Sequence, residues 1–504
     1  MSEQDPTPKG LHRLLDDAAA RHPHRTAVIE GARAVDYAHL SRRVDRLARR
    51  LAAVGVRRGD RVVLLMANNL AFVESLHAVL RSGATAVPVS PDTKPFQLRK
   101  ITANAQPVLL LTDRADRDLP LLDGLPTHTP DDLPTALPPT AVPAAPDGPP
   151  AFLLYTSGST SDPKGVICPP GAVLFAVHAI ARRLGYTEAD TVYCRPPFSF
   201  DYGLYQILLC ALAGATLVVS GDQPEVATLR IARDSGATVM PLVPTLAASL
   251  LTLARRDPRP TRLRLFTNTG EHLPSARADA LRATFPGAEV VPMYGMTECK
   301  RITIADPVTD PEPGADPALR ACVGRALPGT TLRILDEDGE PVLPGTVGEI
   351  VVSGPHLMAG YWRDPEETAL RYGHDRTGRR VLRTGDYGSL DAEGRLRLEG
   401  RRDDLIKRRG MRTSTAEIES AACDIPGVAE ACLTGAEDGT LTLWYVGAAD
   451  PVAVTAGLRE RLEGPKLPDG VASVAALPRT VNGKIDRRRL TESAPRTAPA
   501  GGRS

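Results

Sequence analysis

The chain lacks the run of about 18 consecutive apolar residues that a membrane-spanning helix needs, and its polar N-terminus, Met1 to Gly10, has no apolar segment of the secretory type. It lacks an excess of charge: 61 Lys and Arg stand against 60 Asp and Glu, a formal net charge of +1. That balance argues against nucleic acid or an anionic membrane as the main partner. Cysteine is scarce. The seven, at 168, 194, 210, 299, 322, 423 and 432, are odd in number and form no C-x-x-C pair, so neither a disulfide framework nor a zinc site is indicated. The expectation is a cytoplasmic protein with no nucleic acid and no membrane as partner. No internal repeat is visible.

What is present is ordinary for a globular protein: 42% hydrophobic and 24% charged residues over 504 positions, enough chain for several domains at about 100–200 residues each. Helical and strand patterns alternate. Leu40, Val44, Leu47 and Leu51 recur at helical spacing behind a possible cap at Asp36. Residues 61–66, 84–89 and 108–112 read as strands, with a helix over 70–80. Further on, helices over 172–184, 204–212 and 224–234 alternate with strands at 191–194, 216–219, 238–243, 263–268 and 289–293. The alternation predicts an α/β fold with parallel strands. Residues 118–150 are proline-rich, carry no period and read as an irregular surface segment. From about 322 the pattern changes to short strands and Gly/Pro turns, as at 331–336 and 349–353, which predicts a β subdomain. Residues 404–490 form a last compact unit, and the tail after Leu490 has a disordered composition.

One stretch concentrates anion-binding chemistry. After the apolar run Ala151 to Leu154 comes Tyr155-Thr156-Ser157-Gly158-Ser159-Thr160-Ser161-Asp162-Pro163-Lys164-Gly165. Backbone N–H groups freed by glycine, hydroxyl donors and a lysine in one turn can cradle a phosphate. The stretch is not G-x-x-x-x-G-K-[ST], since Pro163 precedes the lysine and Gly165 follows it.

This string closely resembles the phosphate loop of the adenylate-forming enzymes, which include acyl-CoA synthetases, luciferases and nonribosomal-peptide adenylation domains. Ser161 departs from the Gly or Thr usual there but keeps a hydroxyl. Five further stretches follow in the family's order and carry the resemblance from about residue 25 to 490. Tyr294-Gly295-Met296-Thr297-Glu298 is similar to the family's Y-G-x-T-E. The resemblance implies that Tyr294 packs on adenine while Thr297 and Glu298 face the α-phosphate and Mg²⁺; a carboxylate suits that hard cation. Thr269-Gly270-Glu271-His272 resembles the adenine-pocket turn, and Thr384-Gly385-Asp386 the ribose-binding turn, where a carboxylate can accept from both ribose hydroxyls. Gly400 to Arg412 is similar to the hinge motif, with Arg401 on ribose and Asp403 as the hinge. Pro478 to Asp486 is similar to the C-terminal catalytic loop, where the Asn482-Gly483 turn presents Lys484 at a tip. Lys484 would bridge the anionic carboxylate and triphosphate, neutralising charge where it develops. Thr156, Ser157, Gly158, Ser159, Thr160 and Lys164 would hold phosphates.

The substrate pocket is read from Pro197-Phe198-Ser199-Phe200-Asp201-Tyr202 and Gly214-Ala215. The spacing from Phe200 to Gly214 matches that between F-D and G-A in amino-acid adenylation domains, whose aspartate binds the substrate's amino group. Acyl-CoA synthetases more often show P-x-x-H here, and this stretch has no histidine. Asp201 is therefore either the amine ligand or a structural carboxylate. Lys300 and Arg301 either reach into the pocket and bind a second carboxylate or lie outside as solvated charge. Free-standing β-amino-acid adenylating enzymes of macrolactam pathways have a similar pattern, as do some acyl-ligase relatives.

The resemblance implies an N-terminal AMP-binding domain over 1–402, built of α/β subdomains plus a β subdomain. A small mobile α+β domain over 403–490 would follow, then a disordered tail over 491–504. The implied reaction is ATP- and Mg²⁺-dependent adenylation of a carboxylic acid, an α- or β-amino acid. The acyl group then passes to the phosphopantetheine thiol of a separate acyl or peptidyl carrier protein, since no D-S-L serine motif ends the chain. The alternative is an acyl or aryl acid–coenzyme A ligase. A catalytically dead binding protein is disfavoured by retention of Lys484, Glu298 and the phosphate loop.

Overall fold

The computed structural model describes residues 10–114, 124–134, 148–156, 163–221, 223–306, 322–401, 405–408, 411–435, 440–462, 464–479 and 485–492. Sequence periodicity and structure agree over residues 36–53. The helix Tyr37–Ala53 starts where the Asp36 carboxylate accepts from the His39 amide, and its buried stripe is Leu40, Val44, Leu47 and Leu51. The strands Arg61–Leu65, Thr85–Val89 and Leu109–Thr112 run parallel and are buried on both faces. That is why they read as continuous apolar runs rather than alternating ones.

Two sheets organise the large N-terminal part. In the first, strands Thr26–Glu30, Thr216–Val219, Thr191–Cys194, Val239–Leu242, Leu265–Asn268 and Glu289–Tyr294 lie side by side in parallel. Glu289–Tyr294 then hands over to antiparallel pairing. Thr303–Ile304, Cys322–Ala326, Arg395–Arg401, Arg380–Leu390, Gly348–Ser353 and Thr331–Leu335 follow in order, forming the β subdomain. The second sheet is seven-stranded and carries the antiparallel hairpin Phe152–Thr156 and Lys164–Cys168 near one edge, with Gly360–Tyr361 added outside it. Apolar side chains of both sheets and the helices between them form one large buried cluster.

The small C-terminal part has its own core. Strands Val428–Gly435, Leu441–Gly447 and Gly470–Ser473 form its sheet, and Ile418, Leu433, Leu443, Val454 and Leu458 pack beneath it.

Three sequence expectations need correction. The segment 118–150 is not irregular throughout, because Thr127–His128 pairs with Leu110–Leu111 and extends the second sheet. The helix expected at 204–212 spans Asp201–Ala213, which puts Asp201 in its first turn. The helix expected at 224–234 divides into a short 3₁₀ turn at Glu225–Ala227 and a helix at Thr228–Asp234. In addition, the terminal helix Arg487–Glu492 continues two residues past Leu490; residues 493–504 lie outside the described residues.

Candidate active site

The site is built at the carboxyl ends of the parallel strands, where open α/β sheets place their ligands. Three loops meet there: those after Cys194, after Asn268 and after Tyr294.

The first loop delivers Asp201. It is pinned by Asn68, whose amide donates to the Arg195 and Pro196 carbonyls at 3.3 and 2.8 Å and whose Oδ1 accepts from the Phe198 amide at 2.8 Å. The helix Asp201–Ala213 then presses onto the loop. A Cβ on Gly203 would stand 2.3 Å from the Pro196 carbonyl oxygen, so only glycine permits this approach. Tyr202 anchors the helix to the sheet by donating to the Thr267 carbonyl at 2.7 Å. Gly214, at φ +72, ends the helix in the left-handed conformation. The Phe200-to-Gly214 spacing is thus the length of one capped helix.

The loop after Tyr294 is a tight return. Lys300 donates its amide to the Met296 carbonyl, Ile302 donates to Tyr294, and Thr303 pairs with Tyr294 across the hairpin. Lys300 holds a left-handed φ of +62, rare for a side-chain-bearing residue. A Cβ on Gly295 would fall 1.7 Å from the Lys300 carbonyl oxygen, so the fold-back requires glycine. This turn carries Tyr294, Thr297, Glu298, Lys300 and Arg301 within eight residues.

Both cations are inside the protein, which excludes the solvated alternative: Lys300 is 1% exposed and Arg301 5%. Lys300 Nζ donates to the Thr297 carbonyl at 3.0 Å and to Cys168 Sγ at 3.5 Å, and sits 5.6 Å from the Tyr205 ring centroid. Burial pushes the Cys168 thiol up, against the pull of the nearby ammonium. Every partner of Lys300 among the described residues is therefore neutral. Arg301 Nη1 lies 3.6 Å from Asp201 Oδ2, and its guanidinium rests 5.2 Å from the Tyr202 ring centroid. Arg301 Nε and the hydroxyls of Ser199, Tyr205 and Thr269 are buried without a hydrogen-bond partner among the described residues. Native proteins rarely leave such groups unmatched.

Tyr294 Oη donates to Asp386 Oδ2 at 2.6 Å. Burial, together with the adjacent carboxylate, drives the Tyr294 phenol well above its ordinary value and keeps it a donor. Glu298, 8% exposed, accepts at Oε1 from Tyr361 Oη at 2.7 Å. Thr156 and Lys164 face each other across the hairpin Phe152–Thr156 and Lys164–Cys168, and Lys164 Nζ meets Glu367 Oε1 at 2.9 Å. Gly270, at φ +89, is an exposed turn after Leu265–Asn268, and Glu271 follows it. Arg401 pairs through its backbone with Asp386. Ser157, Gly158, Ser159, Thr160, Asp403 and Lys484 lie outside the described residues.

The residues present fit a Mg²⁺ ion held jointly with phosphates: one carboxylate, Glu298, engages Tyr361 through a single oxygen, and hard oxygen donors suit this ion. Among the described residues no cluster of three or more His, Cys, Asp and Glu would hold a metal alone. No described helix is long and apolar enough to cross a membrane.

Sequence reading missed Tyr361, Glu367, Cys168 and Tyr205. Tyr361 lies 63 residues from Glu298 in sequence, and only strand pairing with Lys164–Cys168 brings it to the site.

Residues 15–362 match the AMP-binding enzyme family and residues 417–484 the AMP-binding enzyme C-terminal domain. The chain is 33% identical, over 98% of its length, to the probable non-canonical nonribosomal peptide synthetase CymA of Salinispora arenicola. It spans only 6% and 19% of the first curated relatives it matches. Among solved structures it resembles VinN, also solved in complex with L-aspartate, at 41% identity and a TM-score of 0.70, over 78% of this chain and all of the other. It also resembles the O-succinylbenzoate CoA synthetase MenE of Bacillus subtilis, at 29% identity and a TM-score of 0.84, over 96% of this chain and 98% of the other.

Proposed function

We propose that this chain, a member of the AMP-binding enzyme family, is an AMP-forming ligase whose acid substrate is an amino acid bearing a second carboxylate. The observation that carries this reading is the buried Lys300 ammonium, whose partners are a carbonyl, a thiol and an aromatic ring. A buried cation is costly unless an anion answers it. Asp201 and Arg301 already face each other, so Lys300 is left without a carboxylate in direct contact among the described residues. An ammonium on Asp201 and a carboxylate on Lys300 and Arg301 complete the cluster. The buried donors of Arg301 Nε and Tyr205 supply further hydrogen bonds. VinN, with L-aspartate in its complex structure, supports the same substrate class.

In the first half-reaction the reacting carboxylate oxygen bonds to the α-phosphorus of ATP and the bond to pyrophosphate breaks. Tyr294 and the 269–271 turn hold adenine, Asp386 and Arg401 hold ribose, and the phosphate loop with Lys164 holds the phosphates. Mg²⁺, when bound at Glu298 and Thr297, supplies charge neutralisation. Lys484 would bridge carboxylate and phosphate, lowering the repulsion that opposes attack. In the second half, the 403–490 unit turns about Asp403 and withdraws Lys484. A thiol sulfur bonds to the acyl carbon, AMP leaves, and the thiol proton passes to solvent. The phosphopantetheine of a carrier protein is the proposed acceptor. Likeness to MenE favours coenzyme A as the second reading.

The test is ATP–pyrophosphate exchange over α- and β-amino acids with and without a second carboxylate, and over unsubstituted aryl and fatty acids. The amino diacids should be turned over best. A monocarboxylic amino acid or a simple acid used equally well would overturn the assignment. Thioester formation with carrier protein and with coenzyme A then separates the two acceptors.

A further inference from the structure

We propose that Glu367 is a positioning residue for the nucleotide. It fixes the Lys164 ammonium at the base of the phosphate loop and ties it, through Arg371, to the turn that carries Asp386. This rests on the reading that Lys164 meets the ATP phosphates, and it assigns a role to a residue outside that loop.

Glu367 lies in the short helix Pro365–Arg371, which follows directly on Gly360–Tyr361. The segment is held on both sides. Gly360 and Tyr361 pair with Ile167 and Val166, and the Trp362 amide donates to the Gly165 carbonyl at 2.7 Å. Asp364 caps the helix by accepting from the Glu367 amide at 2.9 Å, and Thr368 Oγ1 accepts from the Tyr361 amide at 2.9 Å. Glu367 is therefore locked to the strand whose first residue is Lys164.

The carboxylate makes two ionic contacts. Oε1 lies 2.9 Å from Lys164 Nζ and 3.5 Å from Arg371 Nε. Arg371 in turn donates from Nη1 to the Thr384 carbonyl at 3.3 Å. A Cβ on Gly385 would stand 2.6 Å from that Nη1, so the glycine of the Thr384-Gly385-Asp386 turn lets the guanidinium come this close. A continuous set of polar contacts thus runs from the phosphate-loop lysine to the turn bearing Asp386, which receives the Tyr294 hydroxyl.

Side-chain exposure separates this pair from an ordinary surface ion pair: 15% for Lys164 and 19% for Glu367. The Lys164 hydrogen bond, with Lys164 and Arg371 charge beside it, holds the Glu367 carboxyl below its usual range. Sterics alone would not fix the lysine, because it borders a cavity of about 420 Å³ that it shares with Asn104, Trp362 and Glu367. An ammonium has three N–H donors. One engages Glu367, leaving two for phosphate oxygens in a single rotamer. Without Glu367 the four-bond side chain must be ordered each time ATP binds, which weakens binding.

The experiment uses the full chain and compares KM for ATP and KM for the acid in wild type, Glu367→Ala, Glu367→Gln, Lys164→Ala and the double variant Lys164→Ala/Glu367→Ala. Melting with and without a non-cleavable ATP analogue supplies a readout independent of turnover. Glu367→Ala should raise KM for ATP about tenfold and leave KM for the acid within about twofold. It should also shrink the analogue-induced rise in Tm. Glu367→Gln, which keeps shape and a neutral acceptor, should show a smaller rise in KM for ATP and covers the case in which the alanine variant fails to fold. In the Lys164→Ala background, removing Glu367 should change KM for ATP by less than about twofold, because the two act as a unit. The proposal is overturned if both KM values rise together, if the two substitutions add, or if both Glu367 variants match wild type while Lys164→Ala does not. If Lys164→Ala itself leaves KM for ATP unchanged, the phosphate role of Lys164 fails, and this proposal with it.

Discussion

Arg301 and Asp201 face each other at 3.6 Å between the tight return after Tyr294 and the first turn of the helix Asp201–Ala213. The separation is ionic rather than a direct hydrogen bond, so both carboxylate oxygens of Asp201 keep accepting capacity. Arg301 neutralises the aspartate within the protein itself. On the proposed function, an incoming ammonium would replace the guanidinium as the partner of Asp201, and the guanidinium would be released toward an incoming carboxylate. Two side chains that balance each other would thereby become a matched pair of receptors for a zwitterion.

Asp201→Asn should raise KM for the best amino acid at least about tenfold and relax rejection of the acid lacking the amine, which a site built to bond that group can hold near 10⁴. The check is kcat/KM for each acid of the pair, in wild type and variant. If wild-type enzyme uses the unsubstituted acid as fast as its amino counterpart, Asp201 is a structural carboxylate only.

Lys484→Ala should remove most adenylation and leave the N-terminal part folded, whereas Asp403→Pro should impair thioester formation more than adenylation, since a fixed φ hinders rotation without touching the ATP site. The half-reactions are assayed separately. A Lys484→Ala adenylation rate within about threefold of wild type, near 0.7 kcal/mol of barrier, would sink the first assignment. Equal loss in both halves for Asp403→Pro would sink the second.

Tyr361→Phe should raise the Mg²⁺ concentration giving half-maximal activity by about three- to tenfold. The reason is that Glu298 loses the hydroxyl donor, 2.7 Å away, that orients it; partners behind a metal-binding group commonly act on this scale. A Mg²⁺ titration at saturating ATP checks this. An unchanged midpoint with unchanged Tm would show that Glu298 is oriented by other contacts.

Acid sensitivity should come partly from His356, whose two ring nitrogens are buried with no partner among the described residues and whose pKa burial lowers from 6.5 to about 4. The unfolded chain binds the proton first as pH falls, so stability drops between about pH 6.5 and 4. A shift of that size corresponds to roughly 3 kcal/mol. His356→Leu should flatten that part of the curve of unfolding free energy against pH. Identical slopes for variant and wild type in this window would exclude His356 as a source.

Much of the candidate site's local backbone is legible in the sequence because it sits in short contiguous strings. Tyr294 to Glu298 and Thr384 to Asp386 each occupy one turn, and local backbone rules dictate such turns: Gly295 for the fold-back and Gly385 for close approach. The Asp36 cap and the Leu40–Leu51 stripe were legible for the same reason. The helices Pro95–Ala105 and Pro244–Arg256 carried a readable signal, proline at their first position. Asp201 is legible as a candidate, but its place in the first turn of a helix is not, because Phe200 offers no side-chain cap to mark the start.

The sequence by itself determined the residue types and turns of the proposed nucleotide site, the α/β alternation and the change to short strands near 322. Each follows from periodicity or from backbone conformation within a few residues. Only the tertiary structure decided that Lys300 and Arg301 point inward, that Arg301 pairs with Asp201, and that Tyr361 and Glu367 reach Glu298 and Lys164. Those facts depend on which strands lie side by side and on how much water each charge loses. No local stretch encodes either, because burial and pairing are set by segments far apart in the chain.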